Sequence, residues 1–575
     1  MTRTHAGRRA APGIALGPAF VLPLRQRETL DELLAHPRAL GTEEELELLR
    51  GASARAAAEL EGLAAELAAG VGVDEAEIFS SHAAFARDPE LLELAQEHVR
   101  SGASAVASIA RAFAAFAELL EATGSELFGS RVADLDDVRD RIVAHLLGRE
   151  VRVEVPRVPS VVISHELLPS QSAALPPELV LGFVTETGSP TSHASILARS
   201  LGVPAVVGAS GIVAAVSTGD AVAIDGEEGV VHLDPDDAVI AVLEGRQRAL
   251  LARSVELARL RDRPGATADE HPVELAANVG GPGDLDAARE HGAQGAGLVR
   301  TELLFEGRSV APSVEEQAAL YRSALAAFPG QRVVFRTMDI GADKPLPFAG
   351  RSAEANPALG LRGIRLHLAR PDLFRTQLEA LVVASVEASA ADGRPAIMFP
   401  FVSSVVEFRA ARRLLDDVAT ELGLGLDGIE VGVMVEVPSA ALEAHALAAH
   451  ADFLSIGTND LLQYLYAADR LNAEVMDLGD AYDPAFLRLV ASVAAAAERA
   501  GRWVGVCGEA ASDPAMAVAL VGMGISELSM TPRAIPHVKS ALSLRTLDEC
   551  RAIADRVTAV VGGPADVREV LDGIG

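Results

Sequence analysis

Apolar and polar positions follow two different periods along this chain, and the places where the period changes divide it. Between residues 25 and 148 apolar residues recur every three or four positions in Ala/Leu/Glu-rich stretches such as EEELELLRGASARAAAELEGLAAELAA. That is the pattern of amphipathic helices, with almost no strand signal. Residues 1–24 read as a short glycine-punctuated strand segment. Residues 150–235 switch to β-branched runs, VPSVVIS, LVLGFVTET and VPAVVG, and then to AVAID-GEEG-VVHLD, a hairpin pattern. The opening strand segment is expected to pair with these later strands. Residues 1–24 and 149–235 then form one sheet-containing domain, with the helices of 25–148 inserted into it. A stretch rich in Leu, Arg and Ala, 236–262, reads as a connecting helix.

In residues 263–575 eight short apolar runs alternate with amphipathic helical stretches: VELAANVG, GAGLVRTE, RVVFRTMDIG, AIMFPFV, VGVMVEVP, ADFLSIGTND, WVGVCGE and ELSMTP. Near-continuous apolar strands separated by helices imply parallel pairing, and eight such units imply a closed (β/α)8 barrel of the TIM type. The expected fold is α/β and multidomain, a β/α domain carrying an inserted helical bundle and then a C-terminal barrel. The barrel segment is longer than the roughly 250 residues typical of the fold, which leaves room for long loops. Asn278, Arg300, Arg336, Glu436, Asn459 with Asp460, and Cys507 all stand at or just beyond the C-terminal end of a strand. Barrel enzymes build their sites on that face. Any one of these residues alone reads better as an ordinary loop contact; six strands doing it together predict an active site.

Composition narrows the function classes. The 575 residues include 81 Asp and Glu against 50 Lys and Arg, a formal net charge of −31. So negative a chain lacks an electrostatic grip on phosphate backbones or anionic lipid, so no nucleic-acid partner is expected, whereas an acidic surface suits a basic protein. The stretch 25–148 alone holds 24 Asp and Glu against 11 Arg. The first twenty residues loosely mimic a signal peptide, but Pro12, Gly13, Gly17 and Pro18 break the apolar run. The uncharged run from Ser200 to Gly219 has the length of a membrane span and is punctuated by five Gly and Pro up to Gly219, so no membrane insertion is expected. Two cysteines, Cys507 and Cys550, cannot staple a chain of this length and point to a reducing, cytoplasmic compartment. All basic residues but Lys344 and Lys539 are arginine, so these two stand where arginine was the default.

The charged residues of the barrel sort into two sets. Arg300, Arg336, Arg362 and Arg470 offer guanidinium forks and Lys344 a compact ammonium, which together call for a small, multiply charged anion. Glu436 and Asp460 offer hard oxygen ligands suited to Mg2+, with the Asn459 amide beside them. The combination fits a phosphorylated carboxylate that chelates magnesium. Cys507 reads either as a small buried hydrophobe or as a thiol protonated at neutral pH, able to serve as a general acid towards a carbanion; Cys550 lies in a helical stretch and reads as core. In the first half, TGSPTSHASILARSLGVP places Thr191 and Ser192 as helix N-cap residues and His193 at the helix start. There the dipole favours the neutral, nucleophilic imidazole, and unsatisfied N–H groups favour an incoming phosphoryl group. Arg199 follows two turns later.

These motifs resemble enzyme I of the bacterial phosphoenolpyruvate-dependent sugar phosphotransferase system. The likeness runs through TGSPTSHASILARSLGVPAVVG, GLVRTE, FRTMDIGADKPLP, NPALGLRGIR, GVMVEVPSAAL, DFLSIGTNDLLQYLYAADR and GVCGEAASD in order, and takes in EIFSSHAAFARDPEL among the helices. The resemblance implies that phosphoenolpyruvate binds the barrel with Mg2+ on Glu436 and Asp460, held by Arg300, Arg336, Arg470 and Asn459, with Lys344 and Arg362 in the same set. It implies phosphoryl transfer to His193, protonation of the enolate by Cys507 to give pyruvate, and delivery to a histidine-containing carrier protein, HPr, docked on the helical module. It also implies a swivelling phosphohistidine domain and a homodimer through the barrels. His82 is a candidate interface residue by the same resemblance, against the alternative of a buried structural histidine. The chain departs from the family at Ser189 and Ala342, where glycine is usual, and at Leu462, where threonine is common. Ser172 retains a hydroxyl where a threonine often contacts the nucleophile. A dikinase-like enzyme would need a nucleotide-binding domain and a Gly-rich phosphate loop, which the first half lacks. A non-catalytic regulatory paralogue is disfavoured by the complete charged set.

Overall fold

The computed structural model describes residues 2–22, 29–70, 73–121, 126–149, 154–167, 169–172, 174–189, 192–305, 308, 310–340, 354, 356–470, 472 and 474–572. It divides into two compact units, Met1–Arg253 and Ser254–Gly575. In the first, β1 (Arg3–Ala6), β2 (Arg8–Ala11), β3 (Ile14–Val21), β4 (Ser160–Ser164), β5 (Val180–Thr185), β6 (Ala205–Val207), β7 (Ala221–Asp225) and β8 (Val230–Leu233) form one sheet of order β1-β8-β7-β3-β4-β5-β6-β2. Strands β3 to β6 are parallel, and β7 and β8 form an antiparallel hairpin with Asp225 opposite Val230. The Asp225 carboxylate accepts from the Glu227 and Glu228 N–H groups, both at 3.1 Å, which closes the turn. All five residues of β4 are buried, as a strand covered on both faces requires.

Between β3 and β4 run the helices Thr42–Gly70, Val73–Ala86, Pro89–Arg100, Ala105–Glu121 and Glu126–Leu146. Leu49, Leu60, Phe79, Leu91, Ile109, Phe113 and Ile142 make their shared core, while Glu43, Glu44 and Glu47 stay in solvent. Helix Pro89–Arg100 starts where the sequence sets a stop and a cap together: Pro89 occupies the first turn and the Asp88 side chain accepts from Leu91 N–H at 2.9 Å.

In the second unit β9 (Glu274–Val279), β10 (Gly295–Arg300), β11 (Arg332–Arg336), β12 (Arg394–Phe399), β13 (Glu430–Val435), β14 (Phe453–Ile456), β15 (Trp503–Val506) and β16 (Glu527–Met530) close into an all-parallel barrel, β16 pairing back to β9. These are the eight apolar runs of the sequence. Several of the following helices open on a Ser or Thr cap answered by Glu three residues later, as at Ser313/Glu316, Ser404/Glu407 and Thr546/Glu549. No helix among the described residues is long and apolar enough to cross a membrane.

The base of the barrel is charged. Arg332 bonds Glu274 at 2.5 Å and Glu430 at 2.9 Å and lies over the Trp503 ring at 3.9 Å, while Trp503 Nε1 donates to Glu430 at 2.9 Å. Lys539 shows why an ammonium was kept outside the arginine default. Its Nζ donates to the carbonyls of Arg261 (2.9 Å), Arg263 (2.7 Å) and Gly292 (3.1 Å), a three-way fan that a planar guanidinium cannot reproduce.

Glu527, opposite Glu274 in the β16–β9 pairing, is 1% exposed with neither carboxyl oxygen hydrogen-bonded; a Cβ on Gly297 or Gly505 would collide with those oxygens, so two glycines make its room. Burial, reinforced by the Glu274 charge and only partly offset by Arg332, pushes its carboxyl up to about 8. In the unfolded chain the group ionises near its ordinary value, whereas the folded barrel retains the proton up to about 8. Its contribution is therefore fully present at the acid end and is lost as pH rises between those values. Glu527→Gln, which never ionises, is expected to match the parent near pH 4.5 and to exceed it increasingly up to about pH 8, by at most on the order of 5 kcal/mol. Trp503, the single tryptophan, reports barrel unfolding in urea, and a margin that does not change with pH would rule Glu527 out as the responsible group.

Candidate active site

The C-terminal ends of the barrel strands surround a cavity of about 520 Å3. Arg300, Arg336, Arg362, Glu436, Asn459, Asp460, Arg470 and Cys507 all line it. Strand closure does this: Arg300 and Arg336 are the last residues of β10 and β11, Glu436 follows β13, Asn459 and Asp460 lie in the helix after β14, and Cys507 follows β15. Lys344, Thr191 and the side chain of His193 lie outside the described residues.

The cavity also holds carboxylates the sequence reading passed over. Glu302 is ion-paired with Arg336, and Asp339 bridges Arg336 (3.6 Å) and Arg362 (2.8 Å). Arg362 reaches Asp460 at 3.1 Å and Tyr464 Oη at 2.9 Å. Three of the four guanidinium groups thus face acids, Arg336 and Arg362 closely and Arg470 at 4.0 Å from Asp460. Burial works against the first two charges, but Glu302, Asp339 and Glu436 around Arg336, and Asp339, Asp460 and Glu436 around Arg362, outweigh it and keep them ionised. Conversely Arg336 and Arg362 hold the buried Asp339 carboxyl below its usual range despite burial. The signal for Asp339 was present in TMDIG, an acid three residues after a strand-end arginine on the same mouth, and that for Glu302 in VRTE.

Asp339, Glu436 and Asp460 are all buried, and a carboxylate oxygen from each lies within 4.8 Å of the others. Burial and the Asp460 and Asp339 charges push the Glu436 carboxyl up to about 8, more than Arg336 and Arg362 draw it down. Asp460 Oδ1 is buried and accepts no hydrogen bond, with Arg470 4.0 Å away. An all-oxygen donor set crowded this closely, one lone-pair oxygen unsatisfied, fits a hard divalent cation. Asn459 is held by Glu509, whose N–H it receives at 3.1 Å. Arg300 is exposed and Arg470 half-exposed at the rim.

Cys507 is 4% exposed, its carbonyl accepting from Asn278 Nδ2 at 3.2 Å and Asn278 Oδ1 accepting from Ser529 at 2.8 Å. Burial pushes the thiol up to about 12. Both readings of this residue therefore meet: it is buried, and it is protonated. Cys550 is fully buried in helix Leu547–Ala559.

In the first unit helix His193–Leu201 begins at His193, with Ser192 at the N-cap position and Gly202 closing the far end at φ +68°. The expected side-chain cap at Ser192 is not formed. Its hydroxyl faces Ser195 Oγ at 3.1 Å, and Ser195 in turn donates to Ser189 O at 2.8 Å, so the hydroxyls knit the loop to the first turn instead of capping N–H groups. Arg199 donates to Ala10 O at 2.9 Å, tying the helix to β2, and Ser172 is buried at the end of helix Pro169–Ser172. His82 is a correction: at 2% exposed, 6.1 Å from the Phe79 ring, it belongs to the helical core and presents no surface to a partner. The helical period around FSSHAAF turns it inward along with Phe79 and Ala83.

Comparison with known proteins gives the chain its relatives. Three family descriptions match in order: PEP-utilising enzyme, N-terminal, over residues 6–131; PEP-utilising enzyme, mobile domain, over 156–229; and PEP-utilising enzyme, PEP-binding domain, over 254–546. A phosphoenolpyruvate-protein phosphotransferase of Streptomyces coelicolor is 45% identical, covering 87% of this chain and 88% of its own. Those of Bacillus sp. (strain S) and Haloferax volcanii are 41% and 43% identical, covering 97% and 90% of this chain and 96% and 91% of theirs.

Proposed function

The chain belongs to the PEP-utilising enzymes, in the branch of the phosphoenolpyruvate-protein phosphotransferases, and on that footing we propose that it takes a phosphoryl group from phosphoenolpyruvate onto His193, releases pyruvate, and passes the group to HPr as the first step of sugar uptake. The observation that carries this reading is the barrel mouth, where four arginines, a buried carboxylate triad and a buried thiol surround one cavity.

Arg300, Arg336, Arg362 and Arg470, with Lys344 and the Asn459 amide, hold the phosphate and carboxylate of the substrate. Their charge is placed where negative charge develops on the transferring group and the leaving enolate. Glu436 and Asp460 would hold Mg2+, which when bound supplies a Lewis acid at the substrate oxygens. Asp339 and Glu302 orient the Arg336 and Arg362 forks. His193 Nε2 attacks phosphorus in line, so that the P–N bond forms as the P–O bond to the enolate breaks. The Cys507 thiol then gives its proton to the enolate carbon, yielding pyruvate. Thr191, Ser192, Arg199 and Ser172 frame the nucleophile.

The labour divides among a swivelling phosphohistidine domain (1–24 and 149–235), an inserted helical module (25–148) that docks the carrier, a linker (236–262) and a barrel (263–575) through which two chains pair. Exposed Glu43, Glu44 and Glu47 suit a basic carrier, which they would steer by charge. His82, being buried, has no place on that face.

Incubation with phosphorus-labelled phosphoenolpyruvate and Mg2+ is expected to label the protein stoichiometrically with matching release of pyruvate, and added HPr should remove the label. Absence of label overturns the reading. Labelling from a nucleotide would move the chain to the dikinase-like enzymes, and a carrier that binds without receiving the group would make it a regulatory relative.

A further inference from the structure

Phe401 touches two residues of the barrel mouth, Glu436 and Arg362. It follows β12 in the run FPF, and its backbone is left-handed at φ +58°, a conformation that a bulky residue keeps only where its surroundings enforce it. That turn delivers two contacts. The Phe401 N–H donates to Glu436 Oε1 at 2.6 Å, in a buried setting. The ring, 2% exposed, lies under the guanidinium groups of Arg362 and Arg365, each 4.6 Å from its centroid, and meets the Tyr464 ring edge-on at 5.6 Å. The backbone beside Arg362 is fitted to it as well: Gly363 is at φ +48°, and a Cβ there would stand 2.5 Å from Phe401 Cβ. An aromatic face attracts a guanidinium without occupying its N–H groups, so the Arg362 fork keeps them for Asp339, Asp460 and Tyr464, which fix its orientation.

We infer that Phe401 is a positioning residue that couples the metal-ligand carboxylate to the anion-holding arginine, its N–H aiming Glu436 and its ring seating Arg362. The inference rests on the phosphoenolpyruvate reading of the mouth. It assigns separate tasks to the backbone and to the ring, and two isomeric side chains separate them. Phe401→Leu removes the ring and keeps an unbranched Cβ. Phe401→Ile removes the same ring and adds branching at Cβ, which a left-handed backbone resists, so the turn relaxes and withdraws the N–H from Glu436.

The experiment uses the full chain, with Mn2+ binding followed by electron paramagnetic resonance and phosphoenolpyruvate binding by calorimetry in Mg2+, and with Trp503 fluorescence confirming the fold. F401L is expected to bind Mn2+ within about twofold of the parent and phosphoenolpyruvate about 3- to 30-fold more weakly. F401I is expected to lose a further factor of about ten or more in Mn2+ affinity. Both variants within twofold of the parent for both ligands would overturn the inference. A parent protein that binds Mn2+ but not phosphoenolpyruvate would instead overturn the functional reading, and the Mn2+ comparison of the two isomers would still decide the backbone role. Should F401I fail to fold, F401G replaces it. Glycine accepts the left-handed turn, so the N–H stays and Mn2+ affinity should hold within twofold; its loss would overturn the backbone role.

Discussion

His193→Ala is expected to leave the protein unable to take up a phosphoryl group, with labelling from phosphoenolpyruvate down by about four orders of magnitude or more. The reason is covalent. On the proposed route transfer passes through a P–N bond, and nothing else in the first turn of helix His193–Leu201 offers an imidazole, since the neighbouring residues there are alanine, serine, isoleucine and leucine. The position adds to the residue type. A helix start also offers backbone N–H groups without helical partners, a setting suited to an anion. Because the proposed substrate site belongs to the other compact unit, phosphoenolpyruvate affinity measured by calorimetry should stay within about twofold and the unfolding transition should not move. A His193→Ala protein that still takes up label would end the assignment of the nucleophile.

Cys507→Ala is expected to separate phosphoryl uptake from the making of pyruvate. The thiol is buried and pushed up to about 12, so it carries its proton throughout the neutral range and is matched to a strongly basic enolate carbon. Removing it should slow the formation of phosphoenolpyruvate from phosphorylated protein and pyruvate by about 10²- to 10⁴-fold, because that direction needs a base placed against the methyl group. Labelling of His193 in the forward direction should fall much less, since the enolate can leave and collect its proton from water. The sign with pH follows from the upward displacement. A thiol of this kind loses its proton only at the alkaline end, so the forward rate should show no decline from this residue between about pH 6 and 9. Reverse synthesis within tenfold of the parent in Cys507→Ala would remove the residue from the chemistry.

Much of the site was legible before any fold was in hand, because strand ends and residue types are local facts. A parallel eight-unit pattern was enough to place the six strand-end positions on one mouth; the cavity collects five of them, while Asn278 stands off its lining and bonds Cys507 O and Ser529 instead. What local reading missed were partners chosen across the barrel. Asp339 lies in a motif whose evident charges are cationic, yet it meets Arg362, whose loop lies on a different part of the chain, and forms the carboxylate triad with Glu436 and Asp460. The histidine loop shows the same limit at short range. A serine before a helix is the residue type for a cap, but Ser195 one turn on competes for its hydroxyl and wins.

The period of each segment is written in consecutive residues, and with it the closed parallel barrel, the helical stretch and the residue types at every strand end. Periodicity decides which face of an element is buried, and that information lies within ten or twenty consecutive residues. Which buried groups meet depends on three-dimensional packing: the acids that engage Arg336 and Arg362, the burial that lifts the Cys507 thiol, the turn at Phe401 that points an N–H at Glu436, and the inward facing of His82. Those contacts join residues that closure of the barrel or packing of the helices brings together, and charge, desolvation and hydrogen bonding act through distance in space, which spacing along a chain does not encode.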